Sequence, residues 1–260
     1  MGIVNITPDS FSDAGSTADT AAALARCEQL LGEGADMLDI GAESTRPGSL
    51  PVLPADELAR LLPVLDAALK LGCPVSVDTN KPEVMAAVLA RGADIINDIN
   101  ALRTPGALDV VAGHASCGVC LMHMRGTPDS MQASPRYEGD VVDEVSQFLR
   151  GRAQALAARG VAIERVVFDP GIGFGKSVEH NIELLRRQRE LLALGRPLLL
   201  GWSRKSTLGV ITGRDVTQRL AASLAAALAA VQWGASVVRV HDVAATVDAL
   251  RVWRAAGLAP

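Results

Sequence analysis

Three aspartates and one asparagine each end a short apolar segment of this 260-residue chain: Asp39, Asp78, Asn97 and Asp169. An unpaired carboxylate at the end of a buried strand is costly, so a single Asp here fits helix capping or ligand binding about equally well. If all four side chains faced one opening, they would suit a ligand rich in N–H groups, because an ionised carboxylate only accepts hydrogen bonds.

A glycine-rich loop follows the Asp169 segment directly and reads Asp169-Pro-Gly-Ile-Gly-Phe-Gly-Lys176. It matches neither the phosphate loop of nucleotide-binding enzymes nor the dinucleotide fingerprint, because Pro170 and Lys176 stand where those motifs need glycine. The glycines allow close backbone approach beside Asp169, and Phe174 offers an apolar wall.

Cationic and hydroxyl residues follow the last two apolar segments. The run Gly201-Trp-Ser-Arg-Lys205-Ser206 has lysine where a serine nucleophile motif needs glycine, so it predicts an anion site at a helix N-terminus instead. Arg239 and His241 lie two residues apart, on one side of a strand. These residues therefore indicate a substrate with anionic groups.

Short β-rich segments alternate with longer segments of helical period along the whole chain. The predicted strands are 2–6, 37–41, 74–78, 95–98, 118–122, 165–169, 197–201 and 236–240. The predicted helices are 18–33, 55–71, 82–91, 105–114, 139–159, 179–194, 215–233 and 243–256. Each strand–helix unit takes about 32 residues, close to the size of a βαβ repeat.

Eight such units predict an α/β fold, a single (βα)8 barrel over residues 1–260, with a doubly wound open sheet as the alternative. Polar residues stand at the carboxyl end of nearly every predicted strand, and in a barrel those ends converge on one mouth. This distribution favours the barrel, with the active site at its C-terminal mouth. A faint repeat supports the units, because Gly34, Gly92 and Gly234 each follow a predicted helix as left-handed caps.

Composition excludes several other classes of protein. The net charge of −4 and the eight aromatic residues argue against nucleic-acid binding. The chain shows no signal peptide and no apolar stretch long enough to span a membrane, which predicts a cytoplasmic protein. Cys117 and Cys120 match C-x-x-C, but three residues apart on a strand they face opposite sides, which favours core cysteines over redox or zinc chemistry.

Eight segments of the chain together resemble the dihydropteroate synthase family. They occur in the family's order over nearly the whole sequence, and several exceed six residues. The segments are 1–13, 39–48, 76–79, 96–99, 121–124, 169–176, 203–206 and 239–242. The resemblance implies a (βα)8 barrel of folate biosynthesis, the sulfonamide target, that joins (7,8-dihydropterin-6-yl)methyl diphosphate to p-aminobenzoate and releases diphosphate.

The resemblance also implies roles for individual residues. Asp78, Asn97, Asp169 and Lys205 match the pterin-binding residues, and Lys205, Asp169 and Asp78 are the expected catalytic set. Asn5 matches the ligand of a Mg²⁺ cofactor that bridges to diphosphate. The expected diphosphate contacts are Thr45, Arg239 and His241. The expected p-aminobenzoate contacts are Arg46, Phe174, Lys205 and Ser206. Supporting roles are expected for Asp39 and Ser203.

The chain departs from the family pattern in three places. Ala14 and Ala42 each replace a family glycine, and the sequence starts at the first strand without the N-terminal segment that usually covers the barrel bottom. Two alternatives share the pterin-binding barrel: a non-catalytic pterin-binding paralogue, which the Gly→Ala changes favour slightly, and a methyltetrahydrofolate-dependent methyltransferase. The methyltransferase would give no reason for Arg46, for Lys205 or for Arg239. A homodimer is implied by the resemblance alone.

The order of bond making follows from leaving-group chemistry. An aryl amine is a weak nucleophile, whereas Mg²⁺-bound diphosphate leaves readily and an electron-rich pterin stabilises a cationic methylene. Diphosphate departure followed by capture of the methylene by the amine is therefore the expected order, with catalysis by positioning and electrostatics.

Overall fold

The computed structural model describes residues 1–6, 17–44, 48–128, 130–133 and 135–258. Its strands, β1 to β8 in chain order, are Gly2–Asn5, Leu38–Gly41, Val75–Asp78, Ile95–Asp98, Gly118–Met122, Val166–Asp169, Leu199–Leu200 and Val237–Val238. Its α-helices, α1 to α10, are Thr17–Gly32, Pro54–Ala68, Pro82–Arg91, Ala107–Gly113, Val141–Ala157, Val178–Arg186, Gln188–Leu192, Ser206–Thr212, Leu220–Gln232 and Val243–Ala255. Short 3-10 turns occupy Leu69–Leu71, Ile163–Arg165 and Val216–Gln218.

The strands form a closed parallel barrel, which confirms the predicted fold class. β1 to β6 pair in chain order in one sheet, and β7 pairs with β8. Two isolated parallel bridges join these sheets, Gly2 to Val240 and Phe168 to Leu198. The backbone N–H of Ile3 donates to the Val240 carbonyl over 3.0 Å, so the first and last strands meet. An open doubly wound sheet would leave both of these edges unpaired.

Most predicted elements lie within a few residues of their observed bounds, and the exceptions have local causes. The predicted helix 179–194 is divided at Arg187, whose ψ of 20° departs from helical geometry, into α6 and α7. The predicted helix 215–233 begins only at Leu220, and α8 precedes it as a separate helix. The predicted left-handed caps are confirmed, because Gly34, Gly92 and Gly234 have φ near +90° to +101°.

Side chains alternate between the helix layer and the barrel interior. Leu38, Ile40 and Val77 point outward into the core that the barrel shares with helix residues such as Leu65. Neighbours in a parallel register share a face, so the pairing of Asn5 with Gly41, Gly41 with Asp78 and Asp78 with Asn97 places these residues in one interior layer. Asp39 is one layer deeper, and Asp169 is one layer nearer the mouth.

One departure from the family pattern, Ala42, can be placed in this fold. Ala42 is fully buried just after β2, and it is not among the residues with positive φ, so the missing glycine costs no backbone strain there. Ala14 lies outside the described residues.

Cys117 and Cys120 are both buried with free thiols, as the strand pattern predicts.

Candidate active site

Four polar side chains meet inside the barrel through one guanidinium. Arg239, following β8, donates from Nε to Asp39 Oδ2 over 2.6 Å and from Nη2 to Asp78 Oδ2 over 2.9 Å. Asn97 donates to the same Asp39 oxygen over 3.2 Å. Strands β2, β3, β4 and β8 thus contribute to one hydrogen-bonded group, as the strand-end pattern predicts.

Burial shapes the charges of this group. Burial raises the pKa of Asp78, and the Arg239 guanidinium partly offsets that effect. Burial alone would lower the pKa of Arg239, but the Asp39 and Asp78 carboxylates raise it overall, so Arg239 stays cationic. Asp39 is fully buried, and its Oδ1 has no hydrogen-bond partner among the described residues. The group therefore keeps acceptor capacity for N–H donors of a ligand.

The second part of the site joins the glycine-rich loop to the segment after β7. Asp169 accepts from the Gly171 backbone N–H over 2.7 Å, which shapes the start of the loop. Lys205 Nζ lies 4.1 Å from the centroid of the Phe174 ring, a cation–π contact. Burial lowers the pKa of Lys205 to about 8, and the Asp169 carboxylate partly offsets that effect. Phe174 and Lys205 thus form one wall of the mouth.

Glycine is required in this loop because the loop lies against the segment after β5. Gly171 has φ of +70°, and a Cβ there would overlap the His123 carbonyl oxygen. Gly175 has φ of +64°, and its Cβ would overlap the Arg125 carbonyl oxygen. The close backbone approach that the sequence predicts beside Asp169 is therefore an approach of the loop to the backbone carbonyls of His123 and Arg125.

Lys176, which ends the loop, is a buried cation that the sequence patterns did not assign to the site. Its ammonium contacts His123 Nδ1 at 2.9 Å and donates to the carbonyls of His123 at 3.2 Å and Phe174 at 3.1 Å. Burial and then the Lys176 charge lower the pKa of His123 to about 2, so its neutral ring accepts the hydrogen bond. Burial also lowers the pKa of Lys176 to about 7.

An apolar cluster at the mouth lies apart from the main core. It is formed by Ile99, Met122, Met124 and Met131, and Phe174 packs against it. Methionine side chains adapt to flat ring surfaces, so this cluster suits the face of a heteroaromatic ligand. Single residues of this kind carry no recognisable sequence signal, because buried methionines are common in any core.

The remaining predicted residues that the structure describes lie at or just after strand ends and at the start of α8. Ser203 is buried, and its Oγ contacts His241 Nδ1 at 3.0 Å, which links the segments after β7 and β8. Ser206 is exposed as the first residue of α8. Asn5 is half-buried at the end of β1. Thr45 and Arg46 lie outside the described residues.

An ion triad that the sequence analysis missed joins Glu43, just after β2, to the starts of α2 and α3. Lys81, just before α3, contacts Glu43 Oε2 at 2.6 Å and Glu57 Oε2 at 2.5 Å. Glu43 also accepts from the Val52 backbone N–H over 2.8 Å, so it holds both sides of the segment that contains Thr45. Sequence separations of 24 and 38 residues left no local signal for the triad.

Two features are absent from the residues that the structure describes. No group of three or more His, Cys, Asp or Glu side chains is arranged there to hold a metal ion. Nor does any described helix combine the length and apolarity that crossing a membrane requires.

The chain belongs to the pterin binding enzyme family, whose model matches residues 1–241. Dihydropteroate synthase from Neisseria meningitidis serogroup B is 52% identical over 264 residues, covering 99% of this chain and 92% of that protein. A Xanthomonas albilineans dihydropteroate synthase structure with 4-aminobenzoic acid matches with a TM-score of 0.92 at 51% identity, covering 100% of this chain and 93% of that one. A structure of that enzyme with 7,8-dihydropteroate matches with a TM-score of 0.89 at 49% identity, with coverages of 100% and 94%.

Proposed function

We infer that this protein is a transferase that catalyses the dihydropteroate synthase reaction. It condenses (7,8-dihydropterin-6-yl)methyl diphosphate with p-aminobenzoate to give 7,8-dihydropteroate and diphosphate. The observation that carries this conclusion is the similarity to dihydropteroate synthases over 99% of the chain at 52% identity. Relatives that hold 4-aminobenzoic acid and 7,8-dihydropteroate support the amine substrate and the product. Neither a non-catalytic paralogue nor a methyltransferase is favoured.

The pterin is assigned to the interior group of the barrel. Its aminopyrimidinone edge presents N–H donors, and the carboxylates of Asp78 and Asp169 are acceptors at the right depth. Asn97 supplies both a donor and an acceptor, and Lys205 a cationic donor. The apolar cluster that includes Met122 would face the ring. This assignment is supported by the hydrogen bonds that bring Asp39, Asp78 and Asn97 together.

The two anionic groups are assigned to the cationic rim. The diphosphate would contact Thr45, Arg239 and His241, and release of Arg239 from one carboxylate would let it face the leaving group. The p-aminobenzoate would contact Arg46, Phe174, Lys205 and Ser206. The exposed Ser206 at the start of α8 supports a carboxylate position there, because the first N–H groups of a helix have no intrahelical partner.

The reaction is proposed to begin with departure of diphosphate. Arg239 and Lys205 stabilise the negative charge that develops on the leaving oxygen, and Asp78 and Asp169 hold the electron-rich ring. The methylene cation formed on the pterin is then captured by the aryl amine, and as the C–N bond forms the proton lost by the nitrogen passes to the released diphosphate. Phe174 and Lys205 would orient the amine, so positioning and electrostatics supply the rate.

A Mg²⁺ cofactor is assigned to Asn5. The Asn5 side chain is half-buried at the mouth, has no hydrogen bond among the described residues and offers an amide oxygen, the hard ligand type that Mg²⁺ takes. This donor set fits an ion that completes its shell with water and substrate phosphate oxygens. The bound ion would supply charge neutralisation to the leaving diphosphate.

Three further properties belong to the proposal. The pairing of β1 with β8 supports residues 1–260 as one domain. A homodimer through α8 and α9 is supported by four exposed apolar residues, Val210, Ile211, Val216 and Leu220, and light scattering in solution tests it. A cytoplasmic location is supported by four free cysteines, as is usual in reducing compartments.

One assay tests the function. Purified protein is mixed with Mg²⁺ and the pterin diphosphate, and diphosphate release is measured with and without p-aminobenzoate. We expect release that depends on the amine and one 7,8-dihydropteroate per diphosphate. Bound pterin without amine-dependent release would support the non-catalytic paralogue instead. As an internal control, Lys205→Ala should lose both turnover and substrate affinity, since Lys205 is assigned to both.

A further inference from the structure

A single buried side chain joins the two segments that carry the proposed p-aminobenzoate site. Asn181 lies in α6 with 1% of its surface exposed. Its Oδ1 accepts from the Gly173 backbone N–H over 2.8 Å, and its Nδ2 donates to the Ser177 carbonyl over 2.8 Å and to Thr207 Oγ1 over 2.9 Å. Both amide hydrogens and one oxygen lone pair are therefore used.

The partners of Asn181 are immediate neighbours of proposed site residues. Gly173 precedes Phe174 in the glycine-rich loop, and Thr207 follows Ser206 in the first turn of α8. Thr207 is itself buried, at 3% exposure, so its hydroxyl has little access to water as an alternative partner. Asn181 thus ties the loop that presents the aromatic wall to the helix that begins beside Lys205.

A carboxamide suits this position better than other side chains of its size. The side chain here accepts from one N–H and donates to two oxygens at once. An ionised carboxylate has no hydrogen to donate, and a leucine side chain makes no hydrogen bonds. Gly173 has φ of +81°, and its carbonyl accepts from the Gln132 side chain. Because its N–H donates to Asn181, both backbone polar groups of Gly173 are bonded to side chains outside the loop. The loop conformation therefore depends on side chains such as Asn181.

We propose that Asn181 is a positioning residue that fixes the spacing between the Phe174 ring and Ser206 at the start of α8, and so sets affinity for the aryl carboxylate substrate. The proposal rests on the assignment of p-aminobenzoate to these residues. Asn181 itself touches neither substrate. The interior pterin group is bonded through Asp39, Arg239 and Asn97 and makes no hydrogen bond to Asn181, so the pterin site is expected to be independent of it.

The test removes the hydrogen bond between Asn181 and Thr207 by changing Thr207 in α8, where a valine replaces the hydroxyl by a methyl group. Thr207→Val keeps the shape of the buried side chain but leaves an Asn181 amide hydrogen unpaired. Losing one buried hydrogen bond corresponds to a change of roughly five- to tenfold. We expect the KM for p-aminobenzoate to rise about five- to tenfold, while the KM for the pterin diphosphate stays within about twofold.

Two further variants separate positioning from folding. Thr207→Ser restores the hydroxyl and should return the KM for p-aminobenzoate to near the wild-type value. Thr246→Val is the matched control, because Thr246 is also buried, at 5% exposure, and among the described residues its hydroxyl bonds only to the Asp242 carbonyl at the start of its own helix. Asn181→Leu removes the carboxamide from the other side of the hydrogen bond and should raise the same KM by at least as much as Thr207→Val.

The outcomes distinguish this inference from the proposed function. If Thr207→Val raises both KM values equally, or neither, the link is only structural and the proposal is wrong. If wild-type protein shows no amine-dependent release of diphosphate, the proposed function fails, and calorimetric titration of p-aminobenzoate into the same variants still tests the link. Selective weakening that Thr207→Ser reverses supports the positioning role.

Discussion

Replacing Lys81 with methionine tests whether the buried ion triad stabilises the fold. The side chains of Lys81, Glu43 and Glu57 are 14%, 12% and 0% exposed. Lys81→Met keeps most of the side-chain volume but leaves two carboxylates close together without their cation. Removing one partner of a buried ion pair costs about 3–5 kcal/mol, chiefly because the remaining charge stays buried.

This free energy converts to a measurable shift in melting temperature. For a chain of 260 residues, the entropy of unfolding is about 0.55 kcal/mol per kelvin. A loss of about 3–5 kcal/mol in the free energy of unfolding therefore lowers Tm by about 5–9 °C. Thermal unfolding at neutral pH, followed by circular dichroism, measures this shift directly.

The control is an ion pair of similar length at the surface. Arg91 contacts Asp66 at 2.5 Å, but both side chains are 46% exposed. Arg91→Met should cost less than about 1 kcal/mol, because water solvates the remaining carboxylate. The double variant Lys81→Met with Glu57→Gln should recover part of the lost stability, because it removes one of the two unpaired charges. Equal Tm shifts for Lys81→Met and Arg91→Met would refute the argument from burial.

Three further predictions concern the site. Because the cationic form of Lys205 is lost as pH rises through its pKa of about 8, kcat/KM for p-aminobenzoate should fall above that pH, and Lys205→Arg should remove the fall. Gly171→Ala should lose activity and at least about 4 kcal/mol of stability in chemical denaturation, because its Cβ would overlap the His123 carbonyl oxygen. Gly160 also has a positive φ, of +80°, but has open space around it, so Gly160→Ala should lose only about 1–2 kcal/mol. Chelating Mg²⁺ should slow diphosphate release by at least about 100-fold, and Asn5→Ala should raise the Mg²⁺ concentration needed for activity.

Each of these predictions has a contradicting result. A flat alkaline limb in wild-type protein would show that the Lys205 charge does not limit kcat/KM. Equal stability of the Gly171→Ala and Gly160→Ala variants would show that the loop does not lie against the His123 carbonyl. Full activity in chelator, with no metal found by elemental analysis, would remove Mg²⁺ from the proposal.

Much of the fold could be predicted because its signals are local. The alternation of strands and helices, the glycine caps after three helices and the polar residues at strand ends depend on neighbours in sequence, and they predicted β4, β5 and α3 at their observed bounds. The last strands were predicted too long. β7 and β8 pair over only two residues each, and strand length depends on pairing partners that are distant in the chain.

The candidate site was likewise predictable from the sequence only in part. The residue types alone indicated an acidic interior and a cationic rim, because Asp39, Asp78 and Asp169 end apolar segments whatever the fold. Which charges neutralise each other was decided by closure of the barrel, which brings Arg239 to Asp39 across 200 residues of sequence.

The sequence by itself determined the eight repeating units, the mouth at which their polar ends converge and the family that the motifs resemble. Tertiary structure alone decided that Lys176 is a buried lysine held by neutral acceptors, that Lys81 bridges two glutamates, and that Asn181 joins the glycine-rich loop to α8. Burial and long-range contact set the energy of these polar groups. Neither property is encoded in the local pattern of residues, because both depend on which distant segments pack together.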